Sequence, residues 1–75
     1  MQPLQMNLSV YQATRQYPSL IEVIASMGFP QIRNEFLRKT MGKKYSLRQA
    51  AQALGLDKKE IEKLLHDHGF DPVYE

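Results

Sequence analysis

Apolar residues recur at helical spacing in five segments of the chain, and no segment of useful length alternates apolar and polar residues as a strand does. We therefore expect an all-α domain built as a compact array of about five short helices. The predicted helices span residues 10–17, 18–27, 31–39, 47–54 and 58–68. The side chains expected to face the core include Val10, Ala13, Leu20, Ile24, Ile32, Phe36, Leu47, Ala51, Ile61 and Leu65.

A recurring polar pattern predicts where four of these helices begin. A short polar residue caps free backbone N–H groups at the helix start. Three residues later comes Glu or Gln, whose side chain accepts a hydrogen bond from the backbone N–H of the capping residue. Glycines close three of the helices, and Phe70 is expected to fold back on the core after the last one. We expect one domain over residues 1–75, with a core over about 8–70 and short flexible tails at both ends. The predicted capping pairs are Ser9 with Gln12, Ser19 with Glu22, Ser46 with Gln49, and Asp57 with Glu60.

The composition narrows the function classes. A chain of 75 residues has room for one small core, so any site is expected to be a surface patch or a shallow groove. The chain contains no cysteine, which excludes a disulfide framework, thiolate metal ligation and a cysteine nucleophile. No apolar stretch approaches the roughly 20 residues of a membrane helix, and no basic segment with an apolar run behind it opens the chain. We expect a cytoplasmic protein.

The remaining chemistry-bearing residues do not form a catalytic constellation. His66 and His68 are two apart, so on a helix they point about 200° away from each other and cannot share a metal unless the helix end frays. We expect His66 to be exposed and His68 to lie at the edge of the core. The serines are explained as helix caps, without an evident base beside them. We therefore expect no enzyme activity, no metal and no cofactor.

The charge of the chain is concentrated in its centre. The net charge is only +2, but residues 33–48 carry six basic residues and one acid. This segment is the predicted partner-binding surface, with Phe29 and Met41 as apolar anchors beside the charges. An ordinary lysine-rich surface that keeps a small protein in solution would show the same pattern. The basic residues are Arg33, Arg38, Lys39, Lys43, Lys44 and Arg48.

Residues 46–66 are also similar to a helix-turn-helix. Ala51 offers a small side chain at a helix crossing, and Gly55 offers a turn residue tolerant of positive φ. If this motif bound DNA, its second helix would enter the major groove. The three lysines of that helix are balanced by three acids, which argues against phosphate contacts. DNA binding is the alternative prediction, and its candidate residues are Lys58, Lys59, Lys63 and His66.

Several short motifs follow one another along the chain: Tyr17-Pro18, Met27-Gly28-Phe29-Pro30, Arg38-Lys39-Thr40-Met41-Gly42, Ser46-Leu47 with Ala50-Ala51, and Gly55-Leu56-Asp57. In this order they resemble the small bacterial domain-of-unknown-function family 1858 over residues 8–70. The resemblance implies about five helices. It also implies a noncatalytic protein-interaction module that acts with a PAS-type sensor or a hemerythrin-like protein, since members occur alone or beside such segments. A related branch, the hybrid-cluster-protein-associated redox disulfide domain, has a cysteine pair near the positions of Gln31 and Asn34, so its dithiol chemistry does not carry over to this chain.

Overall fold

Helices make up most of the chain in the computed structural model, which describes residues 1–74. A 3₁₀ turn at Pro30–Arg33 precedes the third helix, and a short strand lies at each end of the chain. The fold is therefore mostly α-helical with a small sheet, and the prediction of a purely helical domain is wrong in this respect. The elements within the described residues are β1 (Gln2–Gln5), α1 (Val10–Gln16), α2 (Leu20–Ser26), α3 (Glu35–Met41), α4 (Leu47–Ala53), α5 (Lys58–Asp67) and β2 (Phe70–Val73).

Side-chain caps begin four of the five α-helices. Ser9 and Ser46 each form the full reciprocal capping box with Gln12 and Gln49, as predicted. Asp57 accepts a hydrogen bond from the backbone N–H of Glu60, at 2.8 Å, and begins α5. The helices that these three caps begin match the predicted starts at residues 10, 47 and 58.

The two helix starts that differ from prediction also have a local cause. Ser19 makes no capping hydrogen bond, and its backbone is already helical, so the capping pair predicted there is wrong. The predicted third helix is instead split in two, because the side chain of Asn34 caps the backbone N–H of Leu37 at 3.1 Å. The chain from Pro30 to Arg33 forms the separate 3₁₀ turn.

The two terminal segments, expected to be flexible tails, pair as parallel strands. Leu4 lies opposite Pro72 in the register, and Gln2 and Met6 donate backbone hydrogen bonds to Gly69 and Val73, both at 2.9 Å. Leu4 and Met6 are buried, so the core extends beyond the predicted boundary at residue 8. The pairing of β1 with β2 is thus part of the folded core.

Prolines are tolerated in both strands because of this register. The donors at Gln2 and Met6 show that the even-numbered residues of β1 turn their N–H groups toward β2. Because backbone N–H groups alternate sides along a strand, the nitrogen of Pro3 faces away from β2. The nitrogen of Pro72, the register partner of Leu4, faces away from β1 in the same way. Neither proline removes a donor from the ladder, which is the position in which strands accept this residue.

The core joins all the α-helices except α3 to the sheet. Tyr17 packs edge-on against Phe70, with ring centroids 5.4 Å apart, which confirms that Phe70 folds back on the core. The prediction that Phe36 faces the core is wrong: this side chain is 71% exposed, and none of the residues of α3 is buried. The buried apolar residues are Leu4, Met6, Val10, Ala13, Leu20, Val23, Ile24, Ala25, Ile32, Leu47, Ala51, Ile61, Leu65 and Phe70.

Candidate functional site

An apolar groove of about 220 Å³ lies where the beginning of α1, the end of α3 and one side of α4 meet. Phe29, from the loop after α2, closes one of its sides. The lining contains one phenol and no carboxylate, imidazole, guanidinium or ammonium group, so the groove offers apolar contact and no acid–base pair. The lining residues are Val10, Phe29, Met41, Gly42, Tyr45, Ala50, Ala53 and Leu54.

Backbone contacts hold the walls of this groove together. Ser9 and Ser46 form an isolated antiparallel bridge, in which Val10 donates to the carbonyl of Tyr45 at 2.9 Å. The backbone N–H of Tyr11 donates to the carbonyl of Gly42 at 3.0 Å, which brings the end of α3 against α1. Backbone hydrogen bonds therefore join α1 to the end of α3 and to the start of α4, the three elements that line the groove.

Large apolar side chains in the groove remain accessible. Tyr45 is 46% exposed and Met41 is 38% exposed, while Phe29 is half-buried. The structure thus places the two predicted anchors, Phe29 and Met41, in one groove. Sequence reasoning missed Tyr45, although a signal existed: it precedes the Ser46 cap and lies five residues before Ala50, the spacing of a hydrophobic staple.

The predicted basic surface contains two ion pairs. The guanidinium of Arg33 contacts the carboxylate of Glu22 at 3.0 Å, through two of its nitrogens. The hydrogen bond from Arg33, with its charge, lowers the pKa of Glu22, and the same contact raises the pKa of Arg33. Lys39 pairs with Glu35, one turn earlier on α3, at 3.4 Å. Both pairs lie on the surface, where such contacts stabilise little.

Arg38 has a local structural contact instead. Its Nη1 donates to the carbonyl of Ile32 at 2.9 Å and so ties α3 to the 3₁₀ turn.

The two lysines that follow α3, Lys43 and Lys44, differ from Arg38 in their surroundings, because their neighbours in the chain, Gly42 and Tyr45, line the groove. The ammonium of Lys43 lies 5.1 Å from the ring centroid of Tyr11, and within residues 1–74 neither Lys43 nor Lys44 has a carboxylate oxygen within 4.0 Å.

Arg48, the last residue of the basic segment, lies in a different place. It lines a second recess, together with Lys58 of α5. The two recesses share no lining residue. The six basic residues are thus distributed between two ion pairs, one backbone contact, the surroundings of the groove and this second recess.

The candidate DNA-binding residues of α5 are all exposed. His66 is exposed, as predicted, and its Nε2 lies 3.3 Å from a carboxylate oxygen of Asp71. His68 is also exposed, which corrects the prediction of a position at the core edge, and its Nδ1 lies 2.8 Å from the carbonyl of Leu64. The turn between α4 and α5 contains Gly55 at φ +74°, as expected, while the helix-turn-helix interpretation stays a prediction.

A comparison with protein families assigns the chain to a family. The model of the family described as Domain of unknown function (DUF1858) matches residues 4–64. The chain belongs to this family. The match confirms the resemblance seen in the sequence, and it includes every residue of the groove in this DUF1858 domain but not Tyr74 of the second recess.

A solved structure has the same fold as this DUF1858 domain. It is described as the crystal structure of the conserved domain protein from Streptococcus pneumoniae TIGR4, and it superimposes with a TM-score of 0.88 at 23% sequence identity. The alignment covers 97% of this chain and 92% of that one. At this identity, the likeness concerns the fold alone. No curated protein matches the chain.

Within residues 1–74, no helix is long and apolar enough to cross a bilayer.

Proposed function

We propose that this DUF1858 domain is a noncatalytic protein-interaction module that binds an acidic, amphipathic segment of a partner protein in the apolar groove. The observation that carries the proposal is the exposure of Met41 and Tyr45 beside Phe29 in one concave site. Accessible aromatic and methionine side chains in a groove are typical of protein-binding surfaces. The volume of 220 Å³ falls below the roughly 300–1,000 Å³ of most small-molecule pockets, which favours side chains of a partner as the occupants.

The charges near the groove favour an acidic partner. Lys43 and Lys44 lie in the chain between two groove residues, Gly42 and Tyr45, and within residues 1–74 no carboxylate neutralises either ammonium. Acidic side chains at the ends of an apolar segment would complement these lysines, and charge complementarity contributes mainly to specificity and association rate. The apolar contacts with the groove would then provide most of the affinity.

The family resemblance suggests which partners to examine first. Family members occur beside PAS-type sensor segments and hemerythrin-like segments, so a segment of such a protein is the first natural candidate for the groove. This choice rests on the resemblance, whereas the acidic, apolar chemistry of the partner rests on the groove and its lysines.

The experiment titrates the ¹⁵N-labelled domain with an amphipathic helical peptide that has leucines on one face and glutamates at both ends. A second peptide keeps the leucines but has lysines in place of the glutamates. We expect saturable shifts around the groove with the acidic peptide, and weaker binding of the basic one. Ala53→Glu places a carboxylate in the groove at an exposed position and should weaken binding at least about tenfold, since burying an unpaired charge is costly.

Gln31→Glu is the matched control, because it adds the same charge at an exposed position outside the groove lining. Thermal unfolding of both variants checks that the fold is intact. A hemerythrin-like protein and a PAS-type sensor domain from the same organism are then tested with the same pair of variants. Equal binding by the two variants, or the absence of saturable shifts in the groove, would rule the proposal out.

DNA binding by α5 is the alternative proposal, and one observation favours it. Arg48 lies in a recess with Lys58, so a basic residue of the central segment accompanies the exposed lysines of α5. The acids of the same helix oppose it, as the sequence already indicated. Fluorescence anisotropy with a labelled duplex at about 50 and about 200 mM salt separates the proposals, because phosphate-driven binding weakens steeply over that range. Binding that disappears in Lys59→Gln and Lys63→Gln would favour DNA over the protein partner.

A further inference from the structure

Helix α4 lines a second concave site with a different set of residues. Its Arg48 and Gln52 line a recess of about 300 Å³, whose other residues come from the α4–α5 turn, from α5 and from Tyr74 after β2. Leu56 and Ile61 provide the apolar part of the lining. The volume lies at the lower end of the range for small-molecule sites.

The polar lining of this recess is cationic. Arg48 and Lys58 provide two positive charges, and no carboxylate is among the lining residues. Within residues 1–74, neither side chain has a carboxylate oxygen within 4.0 Å, and the ammonium of Lys58 lies 4.8 Å from the ring centroid of Tyr74. Two cations that share a recess without a carboxylate in direct contact repel each other, and a bound anion would reduce that repulsion. Glu62 is an acid whose charge acts on the recess, since it adds to the effect of burial in raising the pKa of Tyr74.

An unpaired hydroxyl group lies in the same site. The phenolic oxygen of Tyr74 is buried and has no hydrogen-bond partner among the described residues. A buried polar group without a partner costs folding free energy, and in native structures it calls for a specific explanation. Burial, followed by the charge of Glu62, raises the pKa of Tyr74 against the opposing effect of Arg48, so near neutral pH the phenol keeps its proton and remains a donor.

We infer that this recess binds a small organic phosphate monoester. Arg48 and Lys58 would neutralise the phosphate dianion, and the amide of Gln52 would donate to one of its oxygens. Leu56 and Ile61 would contact the organic group. The Tyr74 hydroxyl would gain the acceptor that it lacks among the described residues once binding moves the side chains that cover its oxygen. The inference does not depend on the proposed function, because the recess shares no residue with the apolar groove.

The test uses phenyl phosphate as the probe, at constant ionic strength, and follows the amide signals of the whole domain. We expect saturable shifts centred on residues 48–61, with a dissociation constant of about 1 mM or tighter. Benzyl alcohol, which has the ring without the charge, should give no saturable shift. Inorganic phosphate should bind at the same residues but more weakly, because it lacks the apolar contacts.

Two substitutions remove the expected charge contacts. Arg48→Gln and Lys58→Gln should each weaken binding by about tenfold or more, the range for hydrogen bonds to charged groups. Lys59→Gln is the matched control, because it removes the same charge from the next residue, which does not line the recess. Tyr74→Phe should weaken phenyl phosphate binding without lowering the stability of the free domain, since it removes an unpaired hydroxyl.

Three results would overturn the inference. One is the absence of saturable shifts with phenyl phosphate, and another is equal weakening by Lys58→Gln and Lys59→Gln, which would indicate a general charge effect. The third concerns the source of the phosphate. A labelled DNA duplex that binds more tightly than phenyl phosphate, and loses affinity with Lys59→Gln and Lys63→Gln as well, would assign these cations to a nucleic-acid surface.

Discussion

Ser9 and Ser46 face each other as an antiparallel bridge, and each is also the N-cap of a helix. Val10 donates to Tyr45 and Leu47 donates to Leu8, both at 2.9 Å, on the two sides of this bridge. The starts of α1 and α4 are therefore capped by their own side chains and joined to each other by the backbone. Since both helices line the apolar groove, the bridge fixes the distance between two of its walls.

The caps at this bridge should be measurable in stability. Ser9→Ala and Ser46→Ala each remove a side-chain acceptor from a helix start and should each cost about 1 kcal/mol of unfolding free energy. Ser19→Ala is the control, since Ser19 makes no capping hydrogen bond and its loss should have little effect. Urea unfolding followed by circular dichroism measures all three. A cost for Ser19→Ala equal to that of the other two would contradict this account of the helix starts.

Gly42 should tolerate no side chain. A Cβ at this position would lie 3.0 Å from the backbone nitrogen of Tyr11, and it would also meet the carbonyl of Arg38. Gly42→Ala must therefore distort the end of α3, where Arg38 lies, and push it away from α1, at a cost of about 1–3 kcal/mol typical of overpacking. Urea unfolding gives the size of the effect. The contrasting variant is Gly55→Asn, where no atom lies within 4 Å and asparagine accepts the positive φ, so its cost should be smaller.

The helices could be predicted from the sequence because their signals are local. Ser9, Ser46 and Asp57 each act within three residues, and the structure confirms the helix starts that they mark. The strands gave no such signal. They are four residues long, each contains a proline, and their partners lie 68 positions apart in the chain. A pairing between the two ends of a chain depends on the complete fold, so no local sequence pattern predicts it.

The candidate site was predictable only in part, for the same reason. Phe29 and Met41 stood out as apolar residues beside a basic segment, and the groove contains both. Charge density alone could not show that Arg33 pairs with Glu22, or that Arg48 turns toward α5. Both outcomes depend on which helix faces arrive next to each other. The sequence therefore predicted which apolar and basic residues lie on the surface, but not that they are divided between the groove and the second recess.

The terminal strand should be as important as the helices for stability. Leu4 is 1% exposed and packs in the core, so Leu4→Ala should cost about 2–5 kcal/mol, the range for large-to-small changes in a core. Gln5→Ala, at the exposed neighbouring position on β1, is the control and should change stability little. Urea unfolding of the two variants decides the matter. If residues 1–7 acted as a flexible tail, both substitutions would have the same small effect.

The ion pair between Glu22 and Arg33 should give the domain a specific sensitivity to acid. Hydrogen bonding to Arg33 holds the pKa of Glu22 below its ordinary value of 4.5 in the folded state. The stabilisation is therefore complete above that ordinary value and is lost as the pH falls through the lowered pKa of the folded state. The raised pKa of Arg33 acts only at strongly alkaline pH, so it does not affect this window.

The measurement is urea unfolding as a function of pH for the unsubstituted protein and for Glu22→Gln. We expect the stability difference between them to shrink as the pH falls below the ordinary pKa of Glu22, because the carboxyl becomes protonated and resembles the amide. The effect should be small, since both side chains are more than half exposed. In an Arg33→Gln background the pH dependence of that difference should be reduced. An unchanged pH dependence there would show that Glu22 owes its lowered pKa to groups other than Arg33.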